Sequence, residues 1–473
     1  MDATQIRRLG PMLDRYLAQF DDCFGRCDTR AHLPVYVRGQ LSDLPRKSVE
    51  PIALAAQVAP RTLQQFLSLL EWDRRLLVNR LQQLVARDHV SRHSVGIIDE
   101  TGCAKKGDKT PGVQRQYCGA TGKVENCVVT VHLGYAVDDF HCLLDSDLYL
   151  PESWTADRAR CRQAGIPDTV GYRSKWRIAL DLLDQAQGNG VRLAWLTFDE
   201  WYGGKPEFLR ELHRRGQPYV AEVPSNVMGW LNVPRLVQRR RSLRASRPAS
   251  TVADLTRFSP KLARQPWQRF HVKDGQKGPM IWEAKRVRWF PQTEDGDPGR
   301  PLHLMVARNV LQPEAVKYFL SNAPFETALD TLLLVAFSRW RVERCFEDEK
   351  TELGFDHYEG RNYLGLLRHQ AVTAVSHLFL AHTREQWRGE KSRGHRLPSP
   401  HRSLRLGALL VARSPARRSP VRADRWHDCV PATPESQSAA QPYQTNAAKT
   451  AGTQHSTHRP ATLPLGWRLE VAL

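Results

Sequence analysis

Residues Arg192–Val223 read "RLAWLTFDEWYGGKPEFLRELHRRGQPYVAEV", and this stretch decides the fold class. Its first part is a short apolar run that ends in Asp199, Glu200 and glycines, as a strand does when it gives way to a turn. "KPEFLRELHRRG" then carries apolar residues at helical spacing and stops at a glycine. "PYVAEV" is a second short apolar run. Strand, helix, strand in this order is the unit of an α/β sheet with helices packed on it.

The same rhythm extends upstream. "SVGIIDET" (94–101) is a strand that closes on acids, and "CVVTVHLGYAV" and "HCLLDSDLYL" flank the turn residues Asp138 and Asp139, which suggests a hairpin. These three runs read as adjacent antiparallel strands. "SKWRIALDLLDQAQGNG" (174–190) is a helix ended by glycine. Residues 91–224 therefore form the first part of a mixed α/β core. Residues 1–90 read as helices, and "RKSVEPIALAAQVAPRTLQQFLSLLEWD" divides into two at Pro60, in the manner of a helix-turn-helix. From 225 to 315 the pattern turns β-rich: "WQRFHVKDG", "MIWEAKRVRWF" and "LHLMVARNV" follow a basic loop with six Arg between Arg235 and Arg247. That segment reads as an insertion. Residues 316–388 return to helices, with "TALDTLLLVAFSRWRVERCFEDEKTEL" as one long helix and "YLGLLRHQAVTAVSHLFLAHTREQW" as an apolar closing one. Beyond 389 the chain is basic and of low complexity, which predicts disorder.

Composition narrows the partners. The 473 residues carry a formal charge of +19, which calls for a polyanion, nucleic acid before an anionic membrane surface. No window of roughly 18 apolar residues spans a bilayer, and the N-terminus lacks the apolar core of a signal peptide. The expectation is a cytoplasmic, nucleoid-associated protein with no membrane partner. Nine Cys without framework spacing read as free thiols of a reducing compartment. Cys23 and Cys27 have no second Cys/His pair at zinc-finger spacing, so structural zinc is not expected.

Three acids stand where a sheet-based metal site gathers its ligands. Asp99 and Asp199 close two strands of the α/β unit, at the sheet edge where loops converge. The third comes from the charged helix "SRWRVERCFEDEKTELGF" (338–355). At about 100° per residue, Arg339, Glu343, Phe346, Glu347 and Lys350 share one face, while Asp348, Glu349 and Glu352 point away toward water. Geometry leaves Glu343 and Glu347 as alternatives. Hard carboxylate oxygens of this kind suit two Mg²⁺ ions about 4 Å apart, the arrangement that cleaves phosphodiesters. Strand-end carboxylates also start turns and cap helices, and Asp108, Asp138 and Asp139 are read in that way.

The spacing Arg339-Trp340-x-x-Glu343-(x)6-Lys350 resembles the last-helix signature of bacterial insertion-sequence DDE transposases. "IIDETGCAKKG" with Asp99 and "LTFDEWYG" with Asp199 are similar to the other two catalytic segments, and "QRQYCGATGKVENC" is typical of the DDE superfamily endonuclease branch. The resemblance covers roughly residues 20–385. It implies a ribonuclease-H-like core in which Asp99, Asp199 and Glu343 bind two Mg²⁺ ions, with Mn²⁺ substituting. It further implies cut-and-paste cleavage of double-stranded DNA at terminal inverted repeats, joining of the 3′-OH to target DNA, and a homodimer in the synaptic complex. The signature tyrosine falls on Ala336 here, so its contact to the DNA backbone is vacant or moved.

Under the same resemblance, Arg339 and Lys350 hold DNA phosphates, and Lys105 and Lys106 line the channel. The β insertion grips the transposon end, with Arg239, Arg240 and Arg241 on phosphates and Trp230, Trp267, Trp282 or Trp289 available for a flipped base. Two other readings share these residues: a structure-specific endonuclease on the same fold, and a decayed, non-catalytic DNA-binding repressor.

Overall fold

The structure, a computed structural model, describes residues 3–239, 242–275 and 278–392. Arg240, Arg241 and the low-complexity segment from 393 onward lie outside the described residues.

The N-terminal region is helical: α1 (Ala3–Leu17), α2 (Cys27–Gln40), α3 (Val49–Ala55), α4 (Pro60–Ser68) and α5 (Arg74–Asp88). Pro60 sits in the first turn of α4, where its missing N–H costs nothing. Asp73 caps α5 by accepting from the Arg75 N–H. Strands β1 (Val95–Ala104), β2 (Gln114–Cys118), β3 (Lys123–Val137) and β4 (Phe140–Leu148) follow. The turn between β3 and β4 is Asp138–Asp139, with Asp138 in the left-handed region at φ 47°, a conformation Asp tolerates better than most residues. After the short turns α6 (Glu152–Thr155) and α7 (Arg158–Gln163), the chain runs through α8 (Lys175–Gly188), β5 (Trp195–Phe198), α9 (Glu200–Gly203), α10 (Pro206–Arg214) and β6 (Tyr219–Val223).

These strands pair as β4–β3–β1–β5–β6, with β1, β3 and β4 antiparallel and β5 and β6 parallel to β1. That is a mixed ribonuclease-H-like sheet. Its strands β1 and β5 are buried throughout most of their length by Ile97, Ile98, Leu196 and Phe198.

The β-rich segment continues this sheet. Its elements are β7 (Met228–Trp230), β8 (Leu236–Arg239), β9 (Ser242–Ala245), β10 (Ser250–Thr251), α11 (Val252–Phe258), α12 (Pro260–Ala263), β11 (Gln268–Gly275), β12 (Gly278–Pro291) and β13 (Leu302–Asn309). Strand β14 (Val316–Ser321) pairs β13 on one side and β6 on the other, so one path of hydrogen bonds runs from β10 to β2. Strands β8 and β9 form a separate hairpin, with Arg239 opposite Ser242.

Residues 329–392 form α13 (Leu329–Phe337), α14 (Trp340–Thr351) and α15 (Tyr363–Ser392). The expected single helix over 327–353 is interrupted at Ser338–Arg339. Ser338 turns its hydroxyl back to the Val335 carbonyl at 2.7 Å, the local competition with helical bonding that serine offers. α15 packs on β4, α2, α4 and α5 and so clasps the helical region to the sheet. Buried polar pairs fix this contact: Gln40 with Thr373 and Ser376, Tyr36 with His369, and Tyr16 with the Val375 carbonyl. No described helix is long and apolar enough to cross a membrane.

Candidate active site

Asp99 lies near the middle of β1, opposite His132 of β3 and one residue beyond the β1–β5 pairing. Its Oδ1 accepts from the Glu100 N–H at 2.8 Å, and its Oδ2 takes the Arg339 guanidinium at 2.8 Å. Asp199 ends β5 and caps α9, accepting the N–H groups of Trp201 and Tyr202 at 3.1 and 3.2 Å. Arg339 enters from the break between α13 and α14 and reaches Glu343 with its second nitrogen at 2.7 Å. One guanidinium thus joins Asp99 to Glu343. Glu347, the other acid on this face of the helix, pairs instead with Arg344 at 2.9 Å.

The electrostatics agree with the contacts. Burial, with Asp199 and Glu343, holds the Asp99 carboxyl up at about 7 against the opposing pull of Arg339. Asp199 is raised by burial and by Glu222, against the α9 N–H groups and Arg339. Negative charge at this sheet edge exceeds what one arginine neutralises.

Lys350 donates to the Thr101 hydroxyl at 2.6 Å and to the Gly102 carbonyl at 3.0 Å, tying α14 to β1. Lys105 is turned inward, onto the carbonyls of Asp356 and Tyr358, while Lys106 is exposed. Arg239 lies on the β8–β9 hairpin, a sheet separate from the one that carries Asp99. Of the four tryptophans, Trp230, Trp282 and Trp289 are core residues. Trp267 is only partly buried, and the cations of Arg308 and Lys285 lie 4.0 and 4.4 Å from its ring.

Two corrections belong to α14. Asp348 and Glu349, expected to face water, are 3% and 2% exposed. Asp348 is held by Arg384 of α15 and by Arg344, and Glu349 is pushed well up by burial. The outward acids are Glu343 and Glu347, whose side chains are 57% and 59% exposed. Glu200, the acid after Asp199, opens α9 rather than ending the strand.

Sequence reasoning missed one residue at this edge. Glu222, on β6, faces Asp199 and Arg339 and pairs with Lys317 at 2.6 Å. "PYVAEV" shows the same signal as the other strands, a strand whose end carries an acid. Glu100 is paired with Lys175 at 2.6 Å.

Among the described residues, no group of three or more His, Cys, Asp or Glu is closed around a single metal position. Arg339 takes the counter-ion's place. The donor chemistry nevertheless fits a hard divalent cation, since every donor is a carboxylate oxygen. Beside the triad, Glu100 Oε2 and the Tyr202 hydroxyl are buried with no hydrogen-bond partner in the protein, the mark of a polar space built for more than side chains.

Residues 19–279 match the DDE superfamily endonuclease family, a span that includes Asp99 and Asp199 and ends before Glu343. The chain is also 33% identical, over 191 residues, to a probable transposase for insertion sequence element IS701 from Microchaete diplosiphon. That alignment takes in 40% of this chain and 47% of the relative, so the chain spans about half the length of the curated protein it matches. With more than half of its residues matched to the family, the chain belongs to the DDE superfamily endonucleases.

Proposed function

We propose that this protein is a DNA transposase. It cuts double-stranded DNA at the terminal inverted repeats of an insertion sequence and joins the freed 3′-OH to target DNA. The observation that carries the reading is the convergence of Asp99 and Glu343 on Arg339, with Asp199 adding its charge to the same edge. The membership above and the similarity to a probable transposase support it.

Asp99, Asp199 and Glu343 are the catalytic residues and would hold two Mg²⁺ ions, Mn²⁺ substituting; when bound, these supply positive charge to the oxygens of the reacting phosphodiester. The protein's own groups do the rest. The N–H groups of Glu100, Trp201 and Tyr202 hold one oxygen each of Asp99 and Asp199, leaving the other oxygens to face the reaction. Arg339 and Lys350 turn from their internal partners to the DNA phosphates, with Lys106 along the channel and Arg239, Arg240 and Arg241 on the transposon end. Water attacks the scissile phosphorus in line, the P–O3′ bond breaks, and the leaving oxygen departs as a 3′-OH. That hydroxyl attacks a target phosphodiester in the same geometry, breaking the target's P–O3′ bond and releasing its 3′-OH, so one site serves both steps. A homodimer would bring two ends together, and the protein would work on the nucleoid.

The test is strand cleavage. Labelled DNA carrying the flanking inverted repeats is incubated with the wild type or Glu343→Gln, in Mg²⁺ or EDTA. The expected result is nicking at the repeat boundary that needs Mg²⁺ and is lost in the variant while DNA binding persists. Binding without cleavage by the wild type would identify a repressor, and cleavage indifferent to the repeat would identify a structure-specific nuclease. Cleavage that survives Glu343→Gln but not Glu347→Gln would move the role to the second acid.

A further inference from the structure

Trp201 is an exposed tryptophan in the short helix α9. It lies two residues beyond Asp199, its backbone N–H holds that carboxylate, and 38% of its surface is open. Two ammonium groups attend its ring: Lys205 at 4.8 Å and Lys175 at 5.1 Å from the centroid. Lys175 also lies 5.3 Å from the ring of Tyr149, which packs edge-on against the exposed Tyr172 at 6.3 Å. A large aromatic left half-open normally burdens a soluble surface. One flanked by cations, with its backbone N–H on Asp199, has the makings of a nucleotide seat, since every base has a π-face to stack and every nucleotide a phosphate to pair.

The site's charge makes the case more specific. Lys175 is anchored by Glu100, whose second oxygen has no partner, so this ammonium is tied to the acidic edge and stiffly placed. Lys205 begins the turn into α10 and carries no ion pair among the described contacts, leaving its ammonium available for a phosphate.

We propose that Trp201, with Lys205 and Lys175, seats one base and the adjoining phosphate of the DNA strand running past Asp199. The base is displaced from its stack beside the reacting phosphodiester and lies on the indole. This rests on the DNA-end reading above and adds a residue outside the acidic triad that positions the strand. It places the seat of the displaced base on the catalytic core, next to the second aspartate, rather than on the tryptophans of the β-rich segment, three of which are buried in the core.

The test measures binding, not cleavage. Full-length protein in the Glu343→Gln background is titrated into duplexes carrying the flanking inverted repeat, with 2-aminopurine placed at one position at a time across the boundary. One position should lose fluorescence on binding, through stacking on Trp201. Trp201→Ala and the similarly bulky, non-aromatic Trp201→Leu should abolish that quench and weaken binding roughly five- to a hundredfold. Trp201→Phe should keep the quench, and Lys205→Gln should weaken binding without moving it. DNA binding with no quenched position, or a quench that persists in Trp201→Leu, overturns the inference while leaving the transposase reading intact. No DNA binding at all by the parent protein removes both.

Discussion

Arg339 is the residue on which the acidic edge depends in the absence of DNA. It is mostly buried, bridges Asp99 and Glu343, and acts on Asp199 and Glu222 through space. Removing it leaves Asp99 buried next to another carboxylate without counter-charge, and such orphaned charge is expensive. Arg339→Gln should therefore cost about 2 kcal/mol of unfolding free energy at pH 8. Asp99→Asn takes away the charge that needs compensation, so Asp99→Asn/Arg339→Gln should be more stable than Arg339→Gln alone. Urea titrations of the wild type, both single variants and the double variant read the coupling. Strictly additive costs would mean that the 2.8 Å contact contributes nothing. The sequence shows why this residue is hard to read. Arg339 and Glu343 stand four apart and look like an ordinary intrahelical pair. Only the fold reveals that the same guanidinium spans to Asp99, 240 positions earlier.

Helix α14 shows what an element's periodicity can and cannot tell. Its spacing groups Arg339, Glu343, Glu347 and Lys350 on one face, but pointing away from that face does not put Asp348 and Glu349 in water. Both are buried, because α15 lies along that side and brings Arg384 to Asp348 at 2.9 Å. A buried acid with a partner from a distant helix leaves no local trace in the sequence. The two sides should respond differently to truncation. Asp348→Ala leaves Arg384 and Arg344 without their shared carboxylate and opens a gap, for a loss of about 2–3 kcal/mol. Glu347→Ala removes one exposed pair with Arg344 and should cost less than about 0.5 kcal/mol. Thermal melts of the two variants distinguish these values, and equal losses would mean that α14 docks with its other face. The strands were easier to read. β1, β3, β4, β5 and β6 were legible as apolar runs, and the Asp138–Asp139 turn announces the hairpin, but β1 runs on to Ala104, past the Asp99 expected to close it, because its outer half pairs with β3. Glu222 escaped notice although it follows the pattern of Asp199, since nothing local distinguishes a strand-end acid at a site from one that merely starts a turn.

At the scale of the molecule, two joins were illegible. Alternation marks β-rich residues between 225 and 315 but does not name their neighbours, and the β14–β6 pairing that merges them with the core is a contact across nearly a hundred residues. The helical N-terminal region likewise gives no sign that α15, some three hundred residues on, will hold it. His369 sits at that second join. Its Nε2 donates to the Phe355 carbonyl and its Nδ1 accepts from the Tyr36 hydroxyl, both at 3.0 Å, so the ring bridges α2 to the chain after α14 while neutral. Burial lowers its pKa from 6.5 to about 4. The folded value lies below the unfolded one, so the unfolded chain takes the proton first: this bridge contributes fully above about pH 6.5 and is lost as the pH falls from there toward 4. His369→Gln offers a donor and an acceptor at similar reach but does not titrate. It should be less stable than the wild type at pH 8, and the gap should narrow by about 1.4 kcal/mol for each pH unit below 6.5. Comparing the two proteins cancels the many carboxylates and other histidines that also titrate in this range. Chemical unfolding at pH 8, 6 and 5 reads the difference directly. A gap that stays constant with pH would mean that His369 is protonated in the fold, and that the bridge between the helical region and the sheet is carried by the Gln40 pairs instead.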